Sequence, residues 1–246
     1  MSSDILPSPP SSIACRRSLT RVAHLSAALP ADLIERLWTD PESLLEKGET
    51  LQRTGMRWTV SLRWASQRYV LKHYRPTWWH KAKQLILPSR AWSTWSATHK
   101  LADAGIATPR PVACVENRWG KLRRDSFLMY PYVEGRTLRS YFSHEAKDSR
   151  FIADYLWQQL RDLWQRLEHV GASLADANTF NFIICPNGRL WVIDLDKACF
   201  HWLASTAARH QQRGWEKLLR SAGKAWSDTN PAPIEPPVDF PFARAA

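Results

Sequence analysis

The 246-residue chain is predicted to be an α+β protein of two lobes, a small strand-rich one followed by a mainly helical one. Three observations predict it. Residues 58–74 alternate apolar and polar in the manner of a strand pair. Residues 151–170 carry a long apolar stripe at helical spacing. Between them Pro131 to Gly135 breaks the pattern like a hinge.

Composition bounds the reading before any element is placed. With 44% hydrophobic residues the chain can bury one full core or two lobes sharing a cleft. Lys and Arg outnumber Asp and Glu, 34 against 23, and the net charge of +11 favours polyanionic partners such as anionic lipid, phosphosugar or nucleic acid. No motif for nucleic acid accompanies the charge, and none is expected as a partner. Cys15, Cys114, Cys185 and Cys199 lie far apart without a CxxC pair, which points to a reducing compartment and away from a zinc site or disulfide framework. Asp4, Pro7, Pro9 and Pro10 stand where a signal peptide would need basic and then apolar residues. No run approaches the roughly eighteen apolar residues of a membrane span. A cytoplasmic protein is expected.

In chain order, residues 1–12 are Ser/Pro-rich and read as a disordered tail. The small lobe is assigned to 13–130. Within it Val60, Leu62 and Trp64 alternate, Ala65 to Gln67 turns, and Tyr69 to Lys72 returns, a hairpin ending in a lysine. Ser89 to Ala104 reads as a helix closed by Gly105 and Pro109. Strands follow at Pro111 to Glu116 and Ser126 to Tyr130. The second lobe, 131–228, opens on the hinge. Its helix from Phe151 to Val170 presents Phe151, Tyr155, Leu156, Leu160, Leu163, Trp164 and Leu167 on one face, capped by Gly171. Phe182 to Cys185 and Leu190 to Ile193 flank Pro186-Asn187-Gly188, whose Asn-Gly predicts the positive φ angles of a tight hairpin. A basic amphipathic helix spans roughly 201–225, and 229–246 is a Pro-rich tail.

Five strands with one helix, a hinge, a long helix, then a loop and a hairpin is the order of elements in a protein-kinase-like fold. The polar residues fall in the matching places. Asp176 and Asn181 have D-x-x-x-x-N spacing directly after the long helix, and Asp194 ends the next hairpin. Phosphoryl transfer needs alignment and charge neutralisation more than covalent help, so a site requires metal-binding oxygens, a cation for the phosphates and an acceptor for the hydroxyl proton. Asp176 is the candidate base. Asn181 and Asp194 are the candidate Mg²⁺ ligands, and Lys72 the contact to the ATP phosphates. Val70 shares a strand face with Lys72 and is placed against adenine. Since Pro131 has no N–H, Tyr132 is the candidate for adenine's hinge hydrogen bond.

From about Arg53 to Ala225 the sequence resembles the Kdo/WaaP lipopolysaccharide kinases. The resemblance is carried by Tyr69-Val70-Leu71-Lys72-His73-Tyr74, Ser89-Arg90-Ala91-Trp92, Ala104 to Pro111, Val133-Glu134-Gly135-Arg136-Thr137-Leu138, the Asp176 loop, Ile193-Asp194-Leu195-Asp196-Lys197, and Arg213 through Ser221. It implies ATP- and Mg²⁺-dependent transfer to a Kdo or heptose hydroxyl of the lipopolysaccharide inner core. The acceptor would be core oligosaccharide or lipid-linked, met at the cytoplasmic face of a Gram-negative inner membrane. Trp78-Trp79-His80-Lys81-Ala82-Lys83 sets aromatics beside cations and fits peripheral contact with an anionic membrane as well as it fits core packing.

The pattern is departed from in four places. Leu174 stands where kinases place a histidine, and Ala177 where they place a leucine. Residues 72–109 contain no Glu to pair with Lys72, Thr94 occupying the aligned position, and Gly55 alone stands where a glycine-rich loop would be. A pseudokinase that binds nucleotide or a partner without catalysis is therefore the alternative.

Overall fold

The computed structural model describes residues 12–76, 88–120, 122–144 and 150–227. They group into two compact units, Met1–His99 with Arg110–Tyr132, and Lys100–Pro109 with Val133–Ala246. The chain passes between units after His99, after Pro109 and after Tyr132, whereas the sequence placed all of 13–130 in the first lobe; the last crossing follows Pro131 because that residue still belongs to a strand.

The first unit is built on seven strands where the sequence suggested five. They are β1 (Ile13–Arg17), β2 (Arg21–Ser26), β3 (Glu49–Arg53), β4 (Arg57–Trp64), β5 (Gln67–Tyr74), β6 (Ala113–Trp119) and β7 (Leu122–Pro131), antiparallel in the order β1-β2-β6-β7-β5-β4-β3. Two short helices, α1 (Ala31–Thr39) and α2 (Glu42–Lys47), were also not anticipated. Strand alternation splits the sheet into two faces. Val60, Leu62, Leu71, Phe127 and Met129 meet Leu33 and Leu37 of α1 and Leu44 and Leu45 of α2 in one core. On the other face Tyr74, Cys114, Leu128 and Tyr130 pack on Ala91 and Trp95 of α3 (Arg90–Asp103). Gly105, at φ 78°, follows α3 as predicted.

In the second unit the short strand β8 (Arg136–Thr137) leads into α4 (Leu138–His144), and α5 (Arg150–His169) follows. The stripe on α5 buries Leu156, Trp157, Leu160, Leu163, Trp164 and Leu167. Tyr155 corrects the prediction: it is 52% exposed, because Trp157 rather than Tyr155 completes the buried arc. Next come β9 (Ala172–Leu174), β10 (Phe182–Ile184), β11 (Leu190–Val192), β12 (Ala198–Phe200) and α6 (Ala204–Ser227). β10 lies between β11 and β8, and β12 pairs with β9. The β10–β11 turn differs from the tight hairpin expected, for Gly188 alone has positive φ (77°) and Asn187 does not. The Gly188 N–H donates to Cys185 O and the Cys185 N–H to Arg189 O, a longer turn that needs one left-handed residue.

Leu174 and Ala177, the two departures beside the candidate base, are both buried in this unit's core, so each packs where it stands. The predicted tails, Ser12 excepted, and the Trp78–Lys83 segment lie outside the described residues. Among the described residues no helix is long and apolar enough to cross a membrane.

Candidate active site

The predicted site residues are divided between the units, and each group has its own geometry. In the second unit, α6 shapes the loop that carries Asp176. Gly214 lets the helix approach β9 so closely that an added Cβ would lie 2.7 Å from Leu174 O. One turn on, Lys217 Nζ reaches Asp176 Oδ1 at 2.5 Å and Ala175 O at 3.4 Å. One turn further, Ser221 Oγ accepts from the Thr179 N–H at 3.1 Å and bonds its hydroxyl at 2.9 Å. Residues 214, 217, 218 and 221 share a helix face, so one stripe both buries Leu218 and grips the loop.

Inside the loop the hydrogen bonds are short-range. The Asn178 side chain accepts from the Phe180 N–H at 3.0 Å and starts a 3₁₀ turn over Thr179–Asn181. Asn181 Nδ2 donates to Asp176 O at 2.8 Å, fixing the spacing of the two predicted residues. The Ile193 N–H donates to Asn181 O at 2.8 Å, which brings Asp194 alongside. Asp176, Asn181 and Asp194 therefore line one pocket, together with Leu174, Phe182 and Lys197. Asp194 holds φ 60°, a left-handed conformation costly for a side-chain-bearing residue and concentrated at functional sites.

Both oxygens of Asp176 are engaged, Oδ1 by Lys217 and Oδ2 by Lys197 at 3.1 Å. Partial burial pushes its carboxyl upward, but the hydrogen bonds from Lys217 and Lys197 outweigh this and hold it below the usual carboxylate range. The sequence reading noted Gly214, Lys217 and Ser221 only within the Arg213–Ser221 stretch and gave them no role, although their three- and four-residue spacing on an amphipathic helix was a usable signal. Lys197 was likewise noted only as part of a motif.

Among the described residues no three His, Cys, Asp or Glu side chains gather as a metal cage. The donors at hand are a carboxylate, Asp194, and an amide, Asn181, whose NH₂ is already given to Asp176 O and whose oxygen remains as acceptor. Such a sparse oxygen set fits Mg²⁺, which keeps waters and takes ligands from phosphate, and does not fit zinc.

In the first unit Lys72 lies at the centre of the sheet, between Thr59 of β4 and Leu128 of β7, on the face covered by α3. It is only 7% exposed, with Nζ 5.5 Å from the Tyr130 ring centroid. Thr94, at the aligned glutamate position, is buried and turns its hydroxyl back to Arg90 O at 2.9 Å. Val70 is on the Lys72 face, paired with Tyr130 and Ser61. The Tyr132 N–H, assigned from sequence to adenine, instead donates to Arg68 O at 2.9 Å. Its ring lies 3.9 Å from the Arg68 guanidinium, which also bonds Ser61 Oγ at 2.7 Å. Arg68 thus organises this end of the sheet, a role not anticipated.

Comparison with known proteins matches this arrangement to a family. A protein of Vibrio cholerae serotype O1 named 3-deoxy-D-manno-octulosonic acid kinase is 24% identical over 210 residues, 76% of this chain and 83% of the relative. One of the same name from Vibrio parahaemolyticus serotype O3:K6 is 24% identical over 215 residues, 77% and 82% of the two chains. Another, from Xylella fastidiosa strain M12, is 26% identical over 122 residues, half of this chain and 45% of the relative. The family match itself covers residues 35–234, taking in both units and every predicted site residue. The chain belongs to the lipopolysaccharide kinase (Kdo/WaaP) family, phosphotransferases of protein-kinase-like fold.

Proposed function

We propose that this protein transfers the γ-phosphate of ATP to a hydroxyl of a Kdo or heptose residue in the lipopolysaccharide inner core. The observation that carries the reading is the pocket shared by Asp176, Asn181 and Asp194, held together by the Asn181 side-chain amide donating to Asp176 O and the Ile193 N–H donating to Asn181 O. Asp176 orients the acceptor hydroxyl and takes its proton as the oxygen attacks phosphorus, and a lysine must loosen its hold for an oxygen to become available. Asn181 and Asp194 would hold Mg²⁺, which when bound would supply charge neutralisation to the phosphates. Lys72 meets the α and β phosphates, and Val70 and Tyr132 border the adenine. With its N–H given to Arg68, Tyr132 contributes its carbonyl or its ring. The acceptor names of the relatives favour Kdo over heptose. Such an acceptor, when lipid-linked, places the enzyme peripherally at the cytoplasmic face of an inner membrane.

One feature favours a second reading. Both Asp176 oxygens are paired with lysines, and no glutamate on α3 is available to Lys72, as in a pseudokinase that binds nucleotide without turnover. Incubating the protein with ATP, Mg²⁺ and dephosphorylated core oligosaccharide decides between them. Phosphate transfer is expected, and Asp176→Asn should slow it by roughly 10²- to 10⁴-fold. ATP binding without transfer supports the pseudokinase, and unchanged turnover in Asp176→Asn refutes the assigned base.

A further inference from the structure

One end of the seven-stranded sheet carries three hairpin tips, each raising an apolar side chain into water. Leu19, between β1 and β2, is 89% exposed; Trp119, at the β6–β7 turn, 77%; Met56, between β3 and β4, 49%. The first two tips are joined, since the Arg118 N–H donates to Thr20 O at 2.7 Å. The third lies at the same end, because β4 begins at Arg57, which pairs with Tyr74, and Tyr74 pairs with Ser126 of β7. Water-facing turn tips are ordinarily polar, and exposed apolar residues are ordinarily scattered. Here they project together.

The charge around them has one sign. Arg17 precedes Leu19, Arg53 and Arg57 bracket Met56, and Arg118 and Arg124 bracket Trp119, while residues 16–21, 53–57 and 118–124 contain no Asp or Glu. Arg17, Arg53 and Arg124 are exposed. Behind the first two tips opens a cleft lined by Thr20, Arg21, Arg118, Trp119 and Arg124. Glu42 and Asp125 also line it, but both are engaged, Glu42 by the Asn117 amide at 3.3 Å and Asp125 by His73 at 3.1 Å. Of the cleft's guanidinium groups, Arg21 is engaged by Asn117 Oδ1 at 2.7 Å and by Trp38 O, and Arg118 by Glu116, so the cations that this end of the sheet presents to an anion are the exposed Arg17, Arg53 and Arg124.

We propose that this end of the sheet docks the protein on an anionic bilayer, with Leu19, Met56 and Trp119 entering the interface and the flanking arginines meeting lipid headgroups. Convex apolar tips backed by cations suit a surface that all of them meet at once. Charge alone would serve nucleic acid equally; the apolar prominences decide for lipid. The docking face deepens the reading of a membrane-borne acceptor and depends on it only for its purpose.

The test needs neither ATP nor acceptor, so it is independent of the kinase assay. The full chain is sedimented with phosphatidylcholine vesicles with and without phosphatidylglycerol, at low and physiological salt. Binding should require phosphatidylglycerol and weaken with salt. Leu19→Ser and Trp119→Ser should each lower partitioning roughly tenfold. Arg17→Ser should lower it roughly fivefold, and Arg124→Ser likewise. Leu19→Trp should tighten binding, a gain that misfolding cannot produce. Trp202, 103% exposed in the second unit, is the control, and Trp202→Ser should leave partitioning unchanged. Wild-type binding by the Leu19/Trp119 double variant, no gain in Leu19→Trp, an equal loss in Trp202→Ser, or binding to duplex DNA in preference to vesicles would overturn the proposal.

Discussion

Replacing Gly135 with alanine tests how tightly the Asn181 loop is held. Gly135 has φ +150°, and a methyl there would lie 2.4 Å from Ile184 O and 2.6 Å from Ile183 Cγ2. Ordinary contact begins at 3.4 Å, so about an ångström must be found by moving backbone. The backbone has little room to give. β10 is paired on one side with β11 through Phe182↔Val192 and on the other with β8 through Ile183↔Thr137 and Ile184↔Arg136. The disfavoured φ costs about 1–3 kcal/mol for a residue with a Cβ. Forced displacement of packed structure adds about 1–3 kcal/mol. The sum, roughly 4 kcal/mol, corresponds on a chain of this length to a fall in Tm of roughly 10 °C. Because β10 begins directly after Asn181, the same shift should lower phosphate transfer roughly 10²-fold at a temperature where the variant is still folded. Gly223→Ala is the matched control: it lies inside α6 with nothing within 4 Å of the added methyl, and should gain about 0.5–1 kcal/mol. Thermal melts followed by circular dichroism give both values. A Gly135→Ala protein melting within about 1 °C of wild type would refute the reasoning.

Lys217→Met removes one of the two hydrogen bonds that hold Asp176 low, so its carboxyl should titrate higher and the acid limb of the kcat–pH profile should move to higher pH. A limb that stays in place or moves down contradicts the assignment of Asp176 as base. Both partners are partly exposed, so the stability cost of that variant in a urea titration should stay below about 1 kcal/mol. Trp164 is 1% exposed, lies edge-on to Trp215 at 5.0 Å, and donates its indole N–H to Gln211 O; Trp164→Ala should cost about 3–5 kcal/mol by the same titration. Asp125 is held below its ordinary value of 3.8 chiefly by the hydrogen bond to His73. A carboxylate lowered on folding stabilises the protein above its unfolded value, and that stabilisation is lost as pH falls through the folded value. Stability measured across acid pH should therefore fall less steeply below 3.8 in Asp125→Asn than in wild type, and parallel curves would rule the linkage out.

Legibility followed burial pattern. β4 and β5 were readable because alternate residues face different layers, and α5 because its apolar stripe repeats over many turns. β3 was not, since every one of its residues is exposed at the sheet edge and leaves no alternation. β1 fails for the same reason, being exposed at all but one position. Tyr155 was misplaced because an apolar body beside a buried arc looks in sequence like a member of it. The hydrogen bonds linking Asp176, Asn178 and Asn181 join residues a few positions apart, so residue type and spacing already imply them.

The sequence by itself determined the family and the elements β4, β5 and α5, because these depend on local spacing or on period, and it nominated Asp176, Asn181, Asp194 and Lys72. Only the tertiary structure decided what surrounds them. Lys217 meets Asp176 across 41 positions and Ser221 meets Thr179 across 42, contacts made by how α6 lies against β9. The Tyr132 amide goes to Arg68 because β5 runs beside β7. Leu19, Met56 and Trp119 share one end of a sheet through strand pairing alone. Pairing between distant segments leaves no periodic trace in either one, so those relations exist only once the chain has folded.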